Sequence, residues 1–375
     1  MSKPTIAIIG SGWGGYNLAH SLNTRDSHVV VVSPEATSSI TPLLASAACG
    51  LFNSQLAQES IRRKHLDVQY VKASACDIRF EEKIIICQPA FDSLKNLRFE
   101  LSYDKVVIAP GCSTNTNTPG VNEHAFMVKN VNDANAIRDN INENLEIALL
   151  PTIGEDQQRK LLHIAIASVT VHDVAPNILA PFDRKLSEYA QKALQKYKVE
   201  IKVNSHIVNV TEDTIETRED GTLSYGLLIW ATGNKQRPLV DQLNVMKSGP
   251  GLKRILTDDR LCVVGTNGAI VPDAYAIGDA ADIDNATTYL ARALNSAASG
   301  QTIEPFTYHQ RPLVMYTGAS NGVIMGKRGH EYPGYGAWLS WRSGNFFWTR
   351  SWKRKFMMVL AWFMDWVDGR EMARF

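Results

Sequence analysis

With 375 residues the chain has room for two or three domains and a sizeable core. Hydrophobic residues make up 45% and charged residues 21%, which excludes a disordered chain, and a formal net charge of +1 gives no general pull toward nucleic acid. The five cysteines, Cys49, Cys76, Cys87, Cys112 and Cys262, are scattered without a CxxC. That spacing argues against a disulfide framework, a metal site of the zinc type and a protein dithiol redox centre, and it suits a reducing compartment.

Only Met1–Pro4 precede the first strand, so no signal or transit peptide is expected in this sequence. Thr5–Ile9 reads as a buried β-branched strand running into Gly10-Ser11-Gly12-Trp13-Gly14-Gly15, with a helix expected over 16–23. Glycines at this spacing permit a tight turn and let backbone approach a pyrophosphate at a helix N-terminus. His28–Ser33 is a second parallel-type strand, ended by Pro34. An acidic residue at such a strand end commonly binds ribose hydroxyls. Ser33 holds that place, with Glu35 two residues on, and either can serve. The segment Thr41-Pro42-Leu43-Leu44 reads equally as a stretch lying across a cofactor or as an ordinary helix entry.

Further strands are expected at 68–71 and 83–88, and at 106–108 ending in Ala109-Pro110-Gly111. A matching strand at 227–230 ends in Ala231-Thr232-Gly233. Two such exits suggest two nucleotide-type domains. Far downstream Ala274–Ile277 ends in Gly278-Asp279. A glycine loop answered by a distant strand ending in Gly-Asp describes an FAD site, the second motif closing over the ribityl-phosphate side. The candidate cofactor residues are therefore Gly10, Gly12, Gly14, Gly15, Ser33, Pro34, Thr41, Ala109, Gly111, Gly278 and Asp279.

The middle of the chain departs from this scheme. A helix is expected over 133–149 and the first strand of a second nucleotide domain over 161–167. A glycine loop and helix should follow Ile166; instead Ser168–Asp173 continues as strand into Ala175-Pro176-Asn177-Ile178-Leu179. A parallel crossover needs about a dozen residues or more, and none are present there. His163, His172 and His309 stand isolated in sequence, Arg237-Pro238 reads as a domain end, and the glycines over 318–329 lack the lysine-serine ending of a P-loop. No catalytic side chain and no metal ligand set stands out.

From Trp338 onward the chain carries six of its eight tryptophans. Arg350, Lys353, Arg354 and Lys355 precede the apolar run Phe356–Met364, which is shorter than the roughly 20 residues a membrane span requires. A helix of this composition fits an in-plane membrane anchor, the competing reading being a helix docked on its own core or on a second subunit.

Several stretches together resemble the single-subunit alternative (type II) NADH dehydrogenases, particularly fungal ones. They are Ile9–Gly15, Val32-Ser33-Pro34, Thr41–Leu44, Ala109–Gly111, Pro176–Leu179, Trp230–Gly233, Tyr275–Asp279 and the tail from Ser351 to Glu371. The resemblance implies an α/β fold: a flavoprotein with two Rossmann-like dinucleotide-binding domains, the second truncated, and a C-terminal amphipathic membrane-associating region. It implies FAD bound by residues 1–130 with 263–310, an NADH-binding-like domain over 131–262, and the membrane region over 311–375. A hydride would pass from NADH to the flavin and on to quinone without proton pumping. A homodimer and a peripheral-membrane or cytoplasmic location, with mitochondrial membrane association, are compatible with it. The departures are the missing donor loop, a shortened stretch between Asp279 and Thr287 where a proline turn and an Ala-Gln helix start are expected, and Glu35 in place of a basic residue. A flavoprotein that no longer uses NADH and acts on another small molecule, or a non-enzymatic remnant, are the alternatives these losses raise.

Overall fold

The structure is a computed structural model that describes residues 3–62, 67–163, 169–178, 184–231, 233–249, 251–282, 286–308, 312–318, 320–326 and 330–367. Contacts divide the chain into two units, each assembled from separate stretches of sequence. The first comprises 1–39, 58–115 and 233–309; the second comprises 40–57, 116–232 and 310–375.

The first unit is built on an eight-stranded sheet. In spatial order its strands are Cys262–Val264, Ile270–Ala276, Lys105–Ile108, Thr5–Ile9, His28–Ser33, Val68–Arg79, Ile84–Pro89 and Phe99–Ser102. The five from Ile270–Ala276 to Val68–Arg79 run parallel; the outer pairings are antiparallel. The central strands are apolar on both faces because both faces are covered. Ala7, Ile9, Val30, Val32 and Ile108 enter one core, and Ile6, Ile8, Val29, Val31 and Val107 enter the other. The helices Trp13–Ala19 and Thr287–Ala298 pack together on the second face, tied where the Asn295 side chain bonds Asn23 N–H and the Ser21 carbonyl at 2.9 and 3.0 Å. The long strand Val68–Arg79 pairs parallel through its first half and antiparallel through its second, so one strand joins the nucleotide-type sheet to a meander.

The second unit holds several small elements around its own cores. The helices Thr41–Ala48 and Val131–Ala148 bury Leu43, Leu44, Ala47, Val131, Ala134 and Ile137 in one cluster, which also takes Met358. Asn130 and Asp133 form a reciprocal capping box that fixes where the longer helix starts. Val169–His172 pairs parallel with Val199–Lys202 across the helix Arg184–Gln195, and the antiparallel strands Ile207–Val210, Thr214–Thr217 and Gly221–Ser224 form a meander. A three-stranded sheet over 313–334 leads into the helices Tyr335–Trp348 and Trp352–Val367.

Several expectations are revised. The expected strand over 161–167 does not start as one: Leu161 is the last residue of the helix Glu155–Leu161, and 164–168 lie outside the described residues. Gly226 explains the tight fit there, since a Cβ on it would meet the Lys160 and Leu161 carbonyl oxygens at 2.4 Å. The first helix starts at Trp13, inside the glycine loop, rather than at residue 16. The strand expected over 227–230 is reduced to Ile229–Trp230. The basic cluster Lys353-Arg354-Lys355 precedes the apolar run as read from the sequence, and the helix that carries both starts at Trp352.

At the amino end of the parallel strands, Asp273 accepts from Lys83 Nζ at 2.6 Å and from Lys105 Nζ at 2.5 Å. Asp273 has φ +58°, a conformation asparagine tolerates as well. Burial pushes the Asp273 carboxyl up, but the hydrogen bonds and charges of Lys105 and Lys83 outweigh it and hold the group below its ordinary value. A depressed folded value means the stabilisation is fully present above about pH 3.9 and is lost as the pH falls through the folded value. Asp273→Asn is expected to lower stability to urea at pH 7 by about 1 kcal/mol. The gap to wild type should close as the pH is taken below about 4; a pH-independent gap would assign the loss to packing instead.

Candidate cofactor site

The register of the sheet assembles the site. Ile9 pairs with Val32 and with Ile108, and Ile108 pairs with Ala276. Four adjacent parallel strands therefore end at one level, and the next residues of each emerge at the carboxyl edge, where open α/β sheets take their ligands. Backbone bonds continue the ladder one step beyond the strands: Gly10 N–H to the Val32 carbonyl at 2.8 Å, Ala109 N–H to Ile9 at 2.9 Å and Ile277 N–H to Ile108 at 3.2 Å. Gly10, Ser33-Pro34, Ala109–Gly111 and Gly278-Asp279 are brought together in this way. Thr41 is the first residue of the helix Thr41–Ala48, which belongs to the second unit.

The glycines of the first loop do different jobs. Gly10 has φ +104°, and a Cβ on it would sit 2.2 Å from the Ala109 carbonyl oxygen. A Cβ on Gly15 would sit 1.9 Å from the Gly10 carbonyl oxygen, so this glycine is what lets the helix press against the strand exit. A Cβ on Gly14 would make ordinary contacts with the Ile277 side chain at 3.4 Å and Ala109 Cβ at 3.7 Å. Gly12 is the N-cap of the helix, and a Cβ there would meet no protein atom within 4 Å. Among the described residues no side chain caps that helix end. Close packing at Gly10 and Gly15 with open space at Gly12 is the cradle a pyrophosphate requires.

Ser33 is buried. Its hydroxyl lies 2.9 Å from Ser11 Oγ and accepts from Glu35 N–H at 3.3 Å, while Ser11 donates to the Glu35 carbonyl at 2.8 Å. The serine pair thus fixes the turn, and the Glu35 side chain is exposed beside it. Tyr70 donates to the Ser33 carbonyl at 2.8 Å; burial first, then Glu35, pushes its phenol up to about 12.

Two contributors escape a reading of the sequence. Cys112 and Gln236 face each other on a two-stranded ladder formed by Cys112–Thr114 and Asn234–Gln236, which joins the two Ala-x-Gly exits. The Cys112 thiol donates to Asp279 Oδ2 at 3.2 Å and Gln236 Nε2 donates to the Asp279 carbonyl at 3.0 Å. The only signal available was position: each follows a glycine exit by one and three residues.

A separate cavity of about 160 Å³ lies in the second unit, lined among others by His163, Thr170, His172, Glu200, Lys202 and Tyr225. His163 and His172, isolated in sequence, share it; His309 lies outside the described residues. His163 Nδ1 lies 2.8 Å from the Ser224 carbonyl, and His172 Nδ1 lies 2.8 Å from Ser205 Oγ. Burial, then Lys202, pushes His172 below the ordinary imidazole value. Among the described residues no group of three His, Cys, Asp or Glu side chains is arranged to hold a metal.

Residues 4–300 match the family model described as pyridine nucleotide-disulphide oxidoreductase. The chain belongs to that family. Members of this pyridine nucleotide-disulphide oxidoreductase family are FAD-binding flavoproteins, and the open space at Gly12 fits that cofactor. The chain is 30% identical over 345 residues to "External alternative NAD(P)H-ubiquinone oxidoreductase B4, mitochondrial" of Arabidopsis thaliana, covering 80% of this chain and 58% of the relative. It is 26% identical to "External alternative NADH-ubiquinone oxidoreductase, mitochondrial" of Yarrowia lipolytica, covering 100% of this chain and 81% of the relative. The relatives thus carry the names of the alternative dehydrogenases that the sequence resembles. The chain spans a little over half the length of the first plant relatives. The Yarrowia alignment runs over 477 positions against 375 residues here, so the relative carries segments that this chain lacks. The solved "Structure of NDH2 from plasmodium falciparum in complex with NADH" shares the fold, with a TM-score of 0.86 at 21% identity over the whole of both chains.

Two alanine substitutions separate packing from ligand approach. Gly15→Ala must move backbone, and a strain of about 1–3 kcal/mol predicts roughly a tenfold or greater loss of retained flavin together with a lower melting temperature. Gly12→Ala should leave the melting temperature of the flavin-stripped protein unchanged and still lower flavin retention, read as the ratio of visible to 280 nm absorbance.

Proposed function

We propose that this chain is an FAD-dependent oxidoreductase that takes electrons from NADH and delivers them to a quinone at a membrane surface, without pumping protons. The observation that carries the reading is the convergence of Gly10, Ala109 and Gly278 on one sheet edge, in a chain of this family whose relatives are named for NAD(P)H and ubiquinone. Bound FAD supplies the two-electron chemistry. The protein's part is to hold and orient it through Gly10, Gly12, Gly14, Gly15, Ser33, Pro34, Ala109, Gly111, Gly278 and Asp279, with Thr41 assigned from the sequence pattern alone. Residues 1–130 with 263–310 form the FAD-binding domain in this reading. Residues 131–262 form a truncated NADH-binding-like domain, and 311–375 form the membrane-associating region.

The C-terminal helices support the surface placement. Met358 is fully buried and Trp362 half-buried against the second unit's core, so the last helix docks along one face. Its other faces leave Trp352 79%, Phe356 68% and Phe363 55% exposed. Among the described residues no helix is long and apolar enough to cross a membrane. Arg342 lies over the Trp338 and Trp362 rings at 4.9 and 4.2 Å, and Lys355 over the Trp352 and Phe346 rings at 4.9 and 5.1 Å. Amphipathic rings with adjacent cations suit the headgroup boundary. The relatives' names place them in mitochondria, and the same membrane system is proposed here.

Anaerobic NADH is expected to bleach the flavin spectrum, and a short-chain ubiquinone to restore it. A flavin that stays oxidised would remove NADH as donor and leave a flavoprotein acting on another small molecule; a colourless protein would leave a remnant. In a separate experiment, replacing Trp352, Phe356 and Phe363 by serine should cut sedimentation with anionic liposomes at least about tenfold, since each ring contributes on the order of 1 kcal/mol or more. Unchanged liposome binding, with a wild-type mass of two chains that the substitutions halve, would instead assign this face to a homodimer.

A further inference from the structure

Gln236 is 3% exposed, and its side-chain amide does two different things. Nε2 donates to the Asp279 carbonyl at 3.0 Å. A carbonyl only accepts, so this bond fixes which end of the amide is which. Oε1 is then left buried and without a hydrogen-bond partner among the described residues. Buried polar atoms without partners are uncommon, and each calls for a reason. The geometry of the amide places this acceptor within about 5 Å of the Asp279 carbonyl. It therefore lies on the strand Asn234–Gln236, directly beside the loop that Gly278 opens with φ +72°.

The surrounding contacts show that the loop is held deliberately. Gln236 faces Cys112 across the ladder between the two glycine exits, and Cys112 donates to the Asp279 carboxylate at 3.2 Å. Asp279 is thus gripped at both its backbone and its side chain by one pair of opposed residues. Asn115 N–H closes the ladder on the Gly233 carbonyl at 3.0 Å.

We propose that Gln236 is a flavin-positioning residue: its Nε2 sets the Asp279 loop, and its Oε1 accepts a hydrogen bond from an O–H or N–H group in the flavin half of bound FAD. The inference rests on the FAD reading above. It adds a specific acceptor outside the glycine and Gly-Asp motifs.

The test uses the full-length holoprotein and two variants. Gln236→Met keeps the length and removes both donor and acceptor. Gln236→Glu, kept protonated by burial, keeps one of each. Released flavin is measured by its fluorescence after ultrafiltration, with the visible spectrum recorded in parallel. Gln236→Met is expected to raise the FAD dissociation constant about tenfold or more and to shift the visible flavin bands, while the flavin-stripped protein is at least as stable as wild type. Gln236→Glu should stay within about threefold of wild type and show flavin bands that shift between about pH 6 and 9 as the acid ionises. A Gln236→Met protein with unchanged flavin affinity and spectrum overturns the inference and assigns Oε1 to a buried water. If Gln236→Met does not fold, pH-invariant bands in Gln236→Glu overturn it. A colourless wild-type protein overturns the FAD reading and this inference together, whereas a yellow wild type with indifferent variants removes this inference alone.

Discussion

Ile9 sits between Val32 and Ile108, and Ile108 sits between Ile9 and Ala276; that in-register alignment is the constraint on which the rest of the first unit depends. Because the strands finish level, their exits must turn within a few residues of one another, in a crowded space. Gly10 and Gly15 answer the crowding, since at each a Cβ would run into backbone within 2.2 Å. Gly12 answers a different demand, an open approach on the outer side of the same turn. A slip of one residue in any of these strands would send the inward Val and Ile side chains to the opposite face and scatter the exits. Burial of both faces makes that slip expensive, so hydrophobic packing is what holds a polar site in place.

The second unit shows the opposite balance. Its parallel pair, Val169–His172 with Val199–Lys202, turns Thr170, His172, Glu200 and Lys202 toward a cavity rather than into an apolar core. Lys202 is held by Asp220 at 2.7 Å and lies 3.9 Å from Glu200, so charge is compensated locally instead of being excluded. A sheet flanked in this way has less apolar area with which to resist opening than one covered on both faces. This is also the neighbourhood of the absent glycine loop, and the relatives' longer alignments fit a chain that lacks a segment.

How much of this could be read from the residues depends on the range of the interaction. The glycine loop, the strand ends at Ser33 and Ile108, and the Gly278-Asp279 turn were legible because local chemistry fixes them: β-branched runs, glycines and proline punctuate the chain. Leu161-Leu162-His163 was misread because a short apolar run fits a strand or a helix equally well, and here Leu161 ends the helix Glu155–Leu161. The basic cluster at 353–355 was legible as the stretch ahead of the apolar run, and one helix carries both. In the structure Lys355 folds back over Trp352 and Phe346 and is compatible with a helical turn. Gln236 and Cys112 were invisible for a plainer reason: their partner Asp279 is 43 and 167 residues away.

The division of the chain has a consequence for how the protein is made. The strand Ile270–Ala276 closes the parallel sheet against Lys105–Ile108, yet the intervening residues include most of the second unit, which itself claims 40–57 from within the first. During synthesis, then, the N-terminal strands emerge well before the strand that covers their edge. Until residue 276 has left the ribosome, Lys105–Ile108 presents an uncovered edge with Val106, Val107 and Ile108, all apolar, beside it. A chain in that state carries an unpaired apolar strand edge, the kind of surface that pairs with other chains, for as long as translation takes to reach its final third.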